Sequence, residues 1–172
     1  MKKKFTNLII DVDGAMTTGH FIYNSKGKVY KIFGPDDNDA LSLLNKYINI
    51  NFVTGDKKGF LISKRRIVND MKYELDLVST TKRLAWINSR FDSNKVIYIG
   101  DGIFDHYVMK GVSYSIAPNN ADILAKKTAN YVTKRNGGDR AVAEACLHIL
   151  EKFFKKYDPN KKLDSKIKFS GK

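Results

Sequence analysis

The stretch TNLIIDVDGAMTTGHF, residues 6–21, decides how this chain is read. A short run of apolar β-formers, Leu8 to Ile10, stops abruptly at Asp11-Val12-Asp13-Gly14. Such a run suits a buried strand of a parallel sheet. Two carboxylates at the end of it are costly. A buried charge needs a partner, and adjacent acids repel until one of them tends to keep its proton. A cation or a chemical task must offset that cost.

Working outward, short apolar runs alternate with amphipathic ones. Strands are predicted at 7–11, 50–54, 75–78, 95–100, 112–117 and 130–133. Helices are predicted at 36–47, 59–71, 81–91 and 137–157. The last of these puts Val142, Ala145, Cys146, Ile149, Leu150 and Phe153 on one face, so Cys146 reads as a core residue. This alternation predicts an α/β fold, a Rossmann-like, doubly wound parallel sheet with helices on both faces. One segment breaks the pattern. HFIYNSKGKVYKIF, residues 20–33, is two alternating runs around NSKG, which predicts a projecting β-hairpin directly after the aspartate pair.

The chain has 172 residues, which favours one domain, expected over 1–157, with a basic tail over 158–172. A single cysteine rules out a disulfide framework and points to a reducing compartment, the cytoplasm. No apolar run approaches the roughly 18–20 residues of a membrane span. The net charge of +13 sits largely at the ends, in Lys2, Lys3, Lys4 and the lysines beyond residue 150. It reads as solvated termini that would also draw anionic small molecules such as phosphate esters.

In an open α/β sheet, ligands bind beyond the carboxyl ends of the strands. After the first strand come Asp11 and Asp13; after the second, Thr54 and Gly55; after the third, Lys82; after the fourth, Asp101 and Asp105. Carboxylates suit Mg²⁺, a hard cation, and lysine with a threonine hydroxyl suits a phosphate. Together they point to Mg²⁺-assisted phosphoryl transfer to a carboxylate.

This set resembles the four motifs of the haloacid dehalogenase-like hydrolases. Asp11-Val12-Asp13-Gly14-Ala15-Met16-Thr17 matches D-x-D-x-x-x-T, followed in order by Thr54, Lys82, and Asp101 with Asp105. The run into the hairpin, with GDGIFDHYVM, VSYSIAPNNA and GGDRAVAEACLHIL, is similar to the capless branch typified by 3-deoxy-D-manno-octulosonate 8-phosphate phosphatase, to about residue 150. The resemblance implies no cap domain, a homotetramer whose subunits cover one another's sites, and a phosphorylated sugar acid as substrate. It implies Asp11 as the nucleophile that forms an aspartyl-phosphate, and Asp13 as general acid and then base. Mg²⁺ would bind Asp11, the backbone carbonyl of Asp13, and Asp101, with Asp105 supporting Lys82 or a metal-bound water. Asp105 also reads as a helix-start acid, and Thr17 as a structural cap.

The chain departs from the branch where substrate would be read. Thr54-Gly55-Asp56 stands for T-G-R, and GGDRAVAE, residues 137–144, for G-G-x-G-A-V-R-E. Lys57, Lys58, Arg135 and Arg140 are the candidates for holding a substrate carboxylate. Two other functions compete: a phosphatase of another sugar phosphate or of nucleotide or polynucleotide ends, and a non-catalytic assembly subunit with a relic site. The basic ends suggest nucleic acid, but the length leaves no module for it. The intact acid pairs argue against a relic.

Overall fold

Asn7–Asp11 forms a strand buried on both faces. In the computed structural model, which describes residues 5–162, Leu8, Ile9 and Ile10 have no exposed surface. The chain runs β1 (Asn7–Asp11), β2 (Thr17–Asn24), β3 (Gly27–Phe33), α1 (Asp37–Leu44), β4 (Asn49–Thr54), α2 (Phe60–Lys64) and β5 (Glu74–Leu77). It continues with α3 (Arg83–Arg90), β6 (Val96–Ile99), α4 (Asp105–Gly111), β7 (Tyr114–Ala117), α5 (Ile123–Thr128), β8 (Tyr131–Val132) and α6 (Ala141–Phe153). Six strands make one parallel sheet in the order β5-β4-β1-β6-β7-β8.

The period of two along β1 sorts its side chains between two cores. Leu8 and Ile10 meet Leu41 and Leu44 of α1 and Val142, Cys146 and Ile149 of α6. Ile9 meets Ile87 of α3, Val108 and Met109 of α4 and Ala125 of α5. Helices therefore cover both faces, as the alternation predicts. Full burial of each such Leu or Ile contributes roughly 1.5–3 kcal/mol. No cap domain is inserted among the described residues: β1 and β4 are joined by a short turn over Val12–Met16, the hairpin and α1.

The register sets the site. Asp11 pairs with Val53 and Ile10 with Ile99, so β1, β4 and β6 end at one level. The loops holding Asp13, Gly55 and Asp101 thus leave from the same edge.

Several boundaries move, and three of them bear on the site. The hairpin begins at Thr17 rather than residue 20, with its ladder interrupted between Thr17 and Phe21 and between Ile22 and Tyr23. The last helix begins at Ala141 rather than 137, because Gly138 and Arg140 have φ of 70° and 68°. The third begins at Arg83, after a tight turn over Thr80–Lys82. Among the described residues no helix is long and apolar enough to cross a membrane. The expected basic tail is described only to residue 162; residues 163–172 and Lys2, Lys3 and Lys4 lie outside the described residues.

Candidate active site

Asp11 follows Ile9 by two residues, so it shares the face covered by α3 and α4. There the Arg83 Nη1 lies 2.7 Å from Asp11 Oδ2 and 3.0 Å from Asp105 Oδ1. Arg83 is 1% exposed and Asp105 fully buried. Tyr98, on β6, completes the cluster. Its hydroxyl accepts from Arg83 Nη1 at 2.6 Å and donates to Asp105 Oδ1 at 2.6 Å. Burial works against the charge on Arg83, but Asp11, Tyr98 and Asp105 outweigh it and raise the pKa above the ordinary value. Burial pushes the Asp11 carboxyl up to about 7, against the pull of Arg83.

The other oxygen of Asp105 shapes the next loop. Oδ2 accepts the N–H groups of Asp101 at 3.0 Å and Gly102 at 2.8 Å. Asp105 is thereby tied to the cation on one side and to the loop of Asp101 on the other. Burial, then Asp11 and Asp105, push Asp101 up to about 8. Gly14 lets this carboxylate come close: its φ is +92°, and a Cβ there would lie 1.9 Å from Asp101 Oδ2. Thr17 is fully buried and accepts the N–H groups of Gly14 and Gly19, the structural role expected of it.

Asp13 faces away from this cluster. Its Oδ2 accepts the Thr54 hydroxyl at 2.7 Å, and its Oδ1 lies 2.7 Å from Lys31 Nζ. Thr54 is buried at the end of β4, and Gly55 opens an exposed loop.

Of the expected residues, Asp11, Asp13, Thr54, Asp101 and Asp105 come together at this edge. Lys82 makes no hydrogen bond or ion pair with them among the described residues. Its side chain is exposed, and Arg83 holds the place facing Asp11. Adjacent residues of a helical turn point about 100° apart, so only one of the two can face the sheet. Lys57, Lys58 and Arg135 are exposed. Arg140 is engaged, its Nε 2.6 Å from Asp36 Oδ2 and its Nη1 3.1 Å from Asp139 Oδ1. The loop bearing Arg135 and Arg140 does abut the site: a Cβ on Gly137 would lie 1.7 Å from the Gly14 carbonyl oxygen. Sequence reasoning missed Arg83, Tyr98 and Lys31. For Lys31 a signal existed, since strand alternation puts it opposite Tyr30 and Ile32.

Carboxylate oxygens of Asp11, Asp101 and Asp105 lie within 4.8 Å of one another and could hold a cation. Asp105 accepts two hydrogen bonds on each oxygen, Asp11 accepts Arg83 at 2.7 and 3.4 Å, and the Asp101 carboxylate accepts none among the described residues, so Asp11 and Asp101 keep the most capacity for a cation. The Asp13 carboxylate is held by Thr54 and Lys31, so its backbone carbonyl is the group it can offer.

The comparisons agree with this fold. A family described as haloacid dehalogenase-like hydrolase matches residues 16–146. The chain belongs to this family. It is 32% identical over 148 residues to 3-deoxy-D-manno-octulosonate 8-phosphate phosphatase of Yersinia pestis, covering 83% of this chain and 78% of that protein. A crystal structure of that phosphatase from Yersinia pestis, 29% identical, superposes with a TM-score of 0.74 over 88% of this chain and 83% of the other. The phosphatase of Moraxella catarrhalis, solved with a magnesium ion, a phosphate ion and a KDO molecule, shares the fold at 24% identity. Its TM-score is 0.73 over 88% of each chain.

Proposed function

We propose that this chain hydrolyses a phosphorylated sugar acid of the 3-deoxy-octulosonate 8-phosphate or nonulosonate 9-phosphate class, through an aspartyl-phosphate. It is a phosphoric monoester hydrolase, on the strength of its family and relatives. One observation supports the chemistry above the others: Asp11 and Asp13, two residues apart, have separate partners. Asp11 is set against Arg83 and Asp101; Asp13 is set against Thr54 and Lys31.

The donor set fits Mg²⁺, the cofactor of this reaction. Converging carboxylates are the hard oxygen ligands it prefers, and the burial that raises Asp11 and Asp101 makes a dication welcome there. When bound by Asp11, Asp101 and the Asp13 carbonyl, it supplies positive charge for the phosphoryl oxygens.

An Asp11 oxygen attacks phosphorus while the bond to the sugar oxygen breaks, and Asp13 gives that oxygen its proton. Asp13 then takes a proton from the water that attacks the aspartyl-phosphate. The products are inorganic phosphate and a free Asp11 carboxylate, whose returning charge Arg83 meets. Arg83 thus supplies the cation expected of Lys82, while Thr54 and Gly55 border the place of the phosphoryl group.

Lys57, Lys58 and Arg135, whose side chains make no ion pair among the described residues, are the candidates for the substrate carboxylate. The active form is a cytoplasmic homotetramer, with the projecting hairpin as its contact. A kcat/KM panel with Mg²⁺ tests the reading. An acidic sugar phosphate should exceed its non-carboxylated analogue by roughly 10–100-fold, the worth of a charge-assisted hydrogen bond, and single-stranded DNA should not compete. Preference for the neutral analogue would remove the sugar acid. Turnover surviving in Asp11→Asn would remove the nucleophile.

A further inference from the structure

Lys31 stands out among the cations of this chain. Its neighbours on β3, Tyr30 and Ile32, are 65% and 47% exposed, whereas the Lys31 side chain has no exposed surface. Lysine is rarely buried unless paired. Here three oxygens surround the ammonium, the Ser63 hydroxyl as a hydrogen-bond acceptor and two carboxylates as ion-pair partners. Asp13 Oδ1 lies at 2.7 Å, Ser63 Oγ at 2.8 Å and Asp56 Oδ2 at 2.9 Å.

The contacts close into a ring. Lys31 meets Asp13 and Asp56. The Asp56 backbone N–H donates to Thr54 Oγ1 at 3.1 Å, and Thr54 donates to Asp13 Oδ2 at 2.7 Å. Each oxygen of Asp13 is therefore held by a group that Asp56 holds in turn. Asp56 is itself fixed: its Oδ1 accepts the Gly59 N–H at 3.0 Å, and Lys28 adds a second hairpin ammonium to its Oδ2. These ties lower the Asp56 carboxyl to about 2 despite its partial burial.

We propose that Lys31 is a positioning residue for Asp13, fixing the direction in which this carboxylate meets the leaving group. The inference rests on the phosphatase reading above. An acid must lie within about 2.6–3.2 Å of the oxygen it protonates. An aspartate has two side-chain torsions, and Thr54 alone anchors one oxygen and leaves the carboxylate free to swing about it. Lys31 supplies the second anchor. It is carried by the hairpin, so the hairpin's seating on Asp56 and Ser63 reaches the acid through one amine. Lys31 is kept from the phosphoryl group by its own partners, which makes its role one of orientation.

The test separates orientation from support of the fold. Lys31→Met is compared with wild type on an alkyl phosphate and on 4-nitrophenyl phosphate, with Mg²⁺. The alkoxide needs a proton to leave and the nitrophenolate does not, and kcat/KM reports the step that expels either. Lys31→Met should lower kcat/KM for the alkyl ester by about 10–100-fold, part of the total effect of a general acid, and that for the nitrophenyl ester by about threefold or less. In an Asp13→Asn background the same substitution should have no selective effect. Asp56→Asn, which loosens the ring without touching Asp13, should give a smaller change of the same kind and covers the case in which Lys31→Met fails to fold. Equal losses on both esters, no loss on either, or a selective loss that persists without Asp13 would overturn the proposal. A wild-type chain that turns over neither ester would instead remove the phosphatase reading, and the inference with it.

Discussion

Arg83 Nη1 lies 2.7 Å from Asp11 Oδ2, while the side chain of Lys82, next to it in sequence, turns to solvent. The buried pair is also tied to Asp105 and Tyr98, so the arginine serves two carboxylates at once. Removing one partner from a buried ion pair leaves uncompensated charge and costs about 3–5 kcal/mol. Arg83→Met should therefore lower stability by that order in denaturant titrations and kcat by about 100-fold or more, the scale of losing a preorganised charge. Lys82→Ala, a surface change, should stay within about 0.5 kcal/mol of wild-type stability. A kcat for Lys82→Ala that falls as far as that of Arg83→Met would return the role to Lys82.

That pair marks how far the sequence could be read. The strand NLIID was legible because four apolar or acidic residues in so short a run fit nothing else, and the acids after β1 and β6, with the threonine and glycine after β4, followed from the rule that loops at strand ends carry ligands. The choice between Lys82 and Arg83 was not legible. It depends on where α3 begins, at Arg83 rather than residue 81, and a tight turn at Thr80–Lys82 decides it. The early start expected for α6 failed for a related reason: the left-handed Gly138 and Arg140 end the loop, and nothing in the apolar periodicity records a φ. Strand alternation set Lys31 apart from Tyr30 and Ile32 but did not say which face is buried, since a lysine in a hairpin reads as solvated until its carboxylate partners are known.

Mg²⁺ binding should depend on pH through Asp11 and Asp101. Burial raises these carboxyls to about 7 and about 8, so near neutrality protons compete with the metal. Each proton displaced weakens apparent affinity about tenfold per pH unit below the group's pKa. Titration calorimetry from pH 8.5 down to 6 should show affinity falling steadily, with proton uptake by the buffer on Mg²⁺ addition. Asp101→Asn should weaken binding at every pH and flatten the slope. Affinity independent of pH over this range would contradict the assignment of these two ligands.

Asp37 makes a separate prediction, on stability. It is 1% exposed; its Oδ1 accepts the Ala143 N–H at 2.8 Å, and its Oδ2 is buried without a hydrogen-bond partner among the described residues. Burial raises its carboxyl from 3.8 to about 6, opposed by the Ala143 N–H and by Arg140 and assisted by Asp36 and Asp139. A raised acid favours folding while it is protonated, so its stabilising effect is full below 3.8 and is lost as pH rises through about 6. The shift corresponds to roughly 3 kcal/mol at most. Asp37→Asn keeps the acceptor for Ala143 and removes the charge. Its stability relative to wild type should rise between pH 4 and pH 7 in urea titrations. A difference that does not change with pH would show that Asp37 is not the group responsible.

The hairpin makes the last prediction. Its register pairs Ile22 with Tyr30, which places Ile22, Tyr30 and Ile32 on the face opposite Lys31. These three are 46%, 65% and 47% exposed. An isolated two-stranded hairpin is marginally stable in water, and an outward apolar stripe on one is better explained by another surface than by solvent. The inward face is already anchored by Lys28 and Lys31 on Asp56, so the outer stripe is free to meet other subunits without disturbing the acid Asp13. Light scattering at micromolar concentration should give a tetramer for wild type. Tyr30→Lys with Ile32→Lys should give a monomer with unchanged circular dichroism, because charges brought together across such a contact repel and lose water. Activity should fall with assembly, since neighbours would no longer shield the open site. A wild-type monomer, or a double variant that remains tetrameric, would take the hairpin out of the assembly.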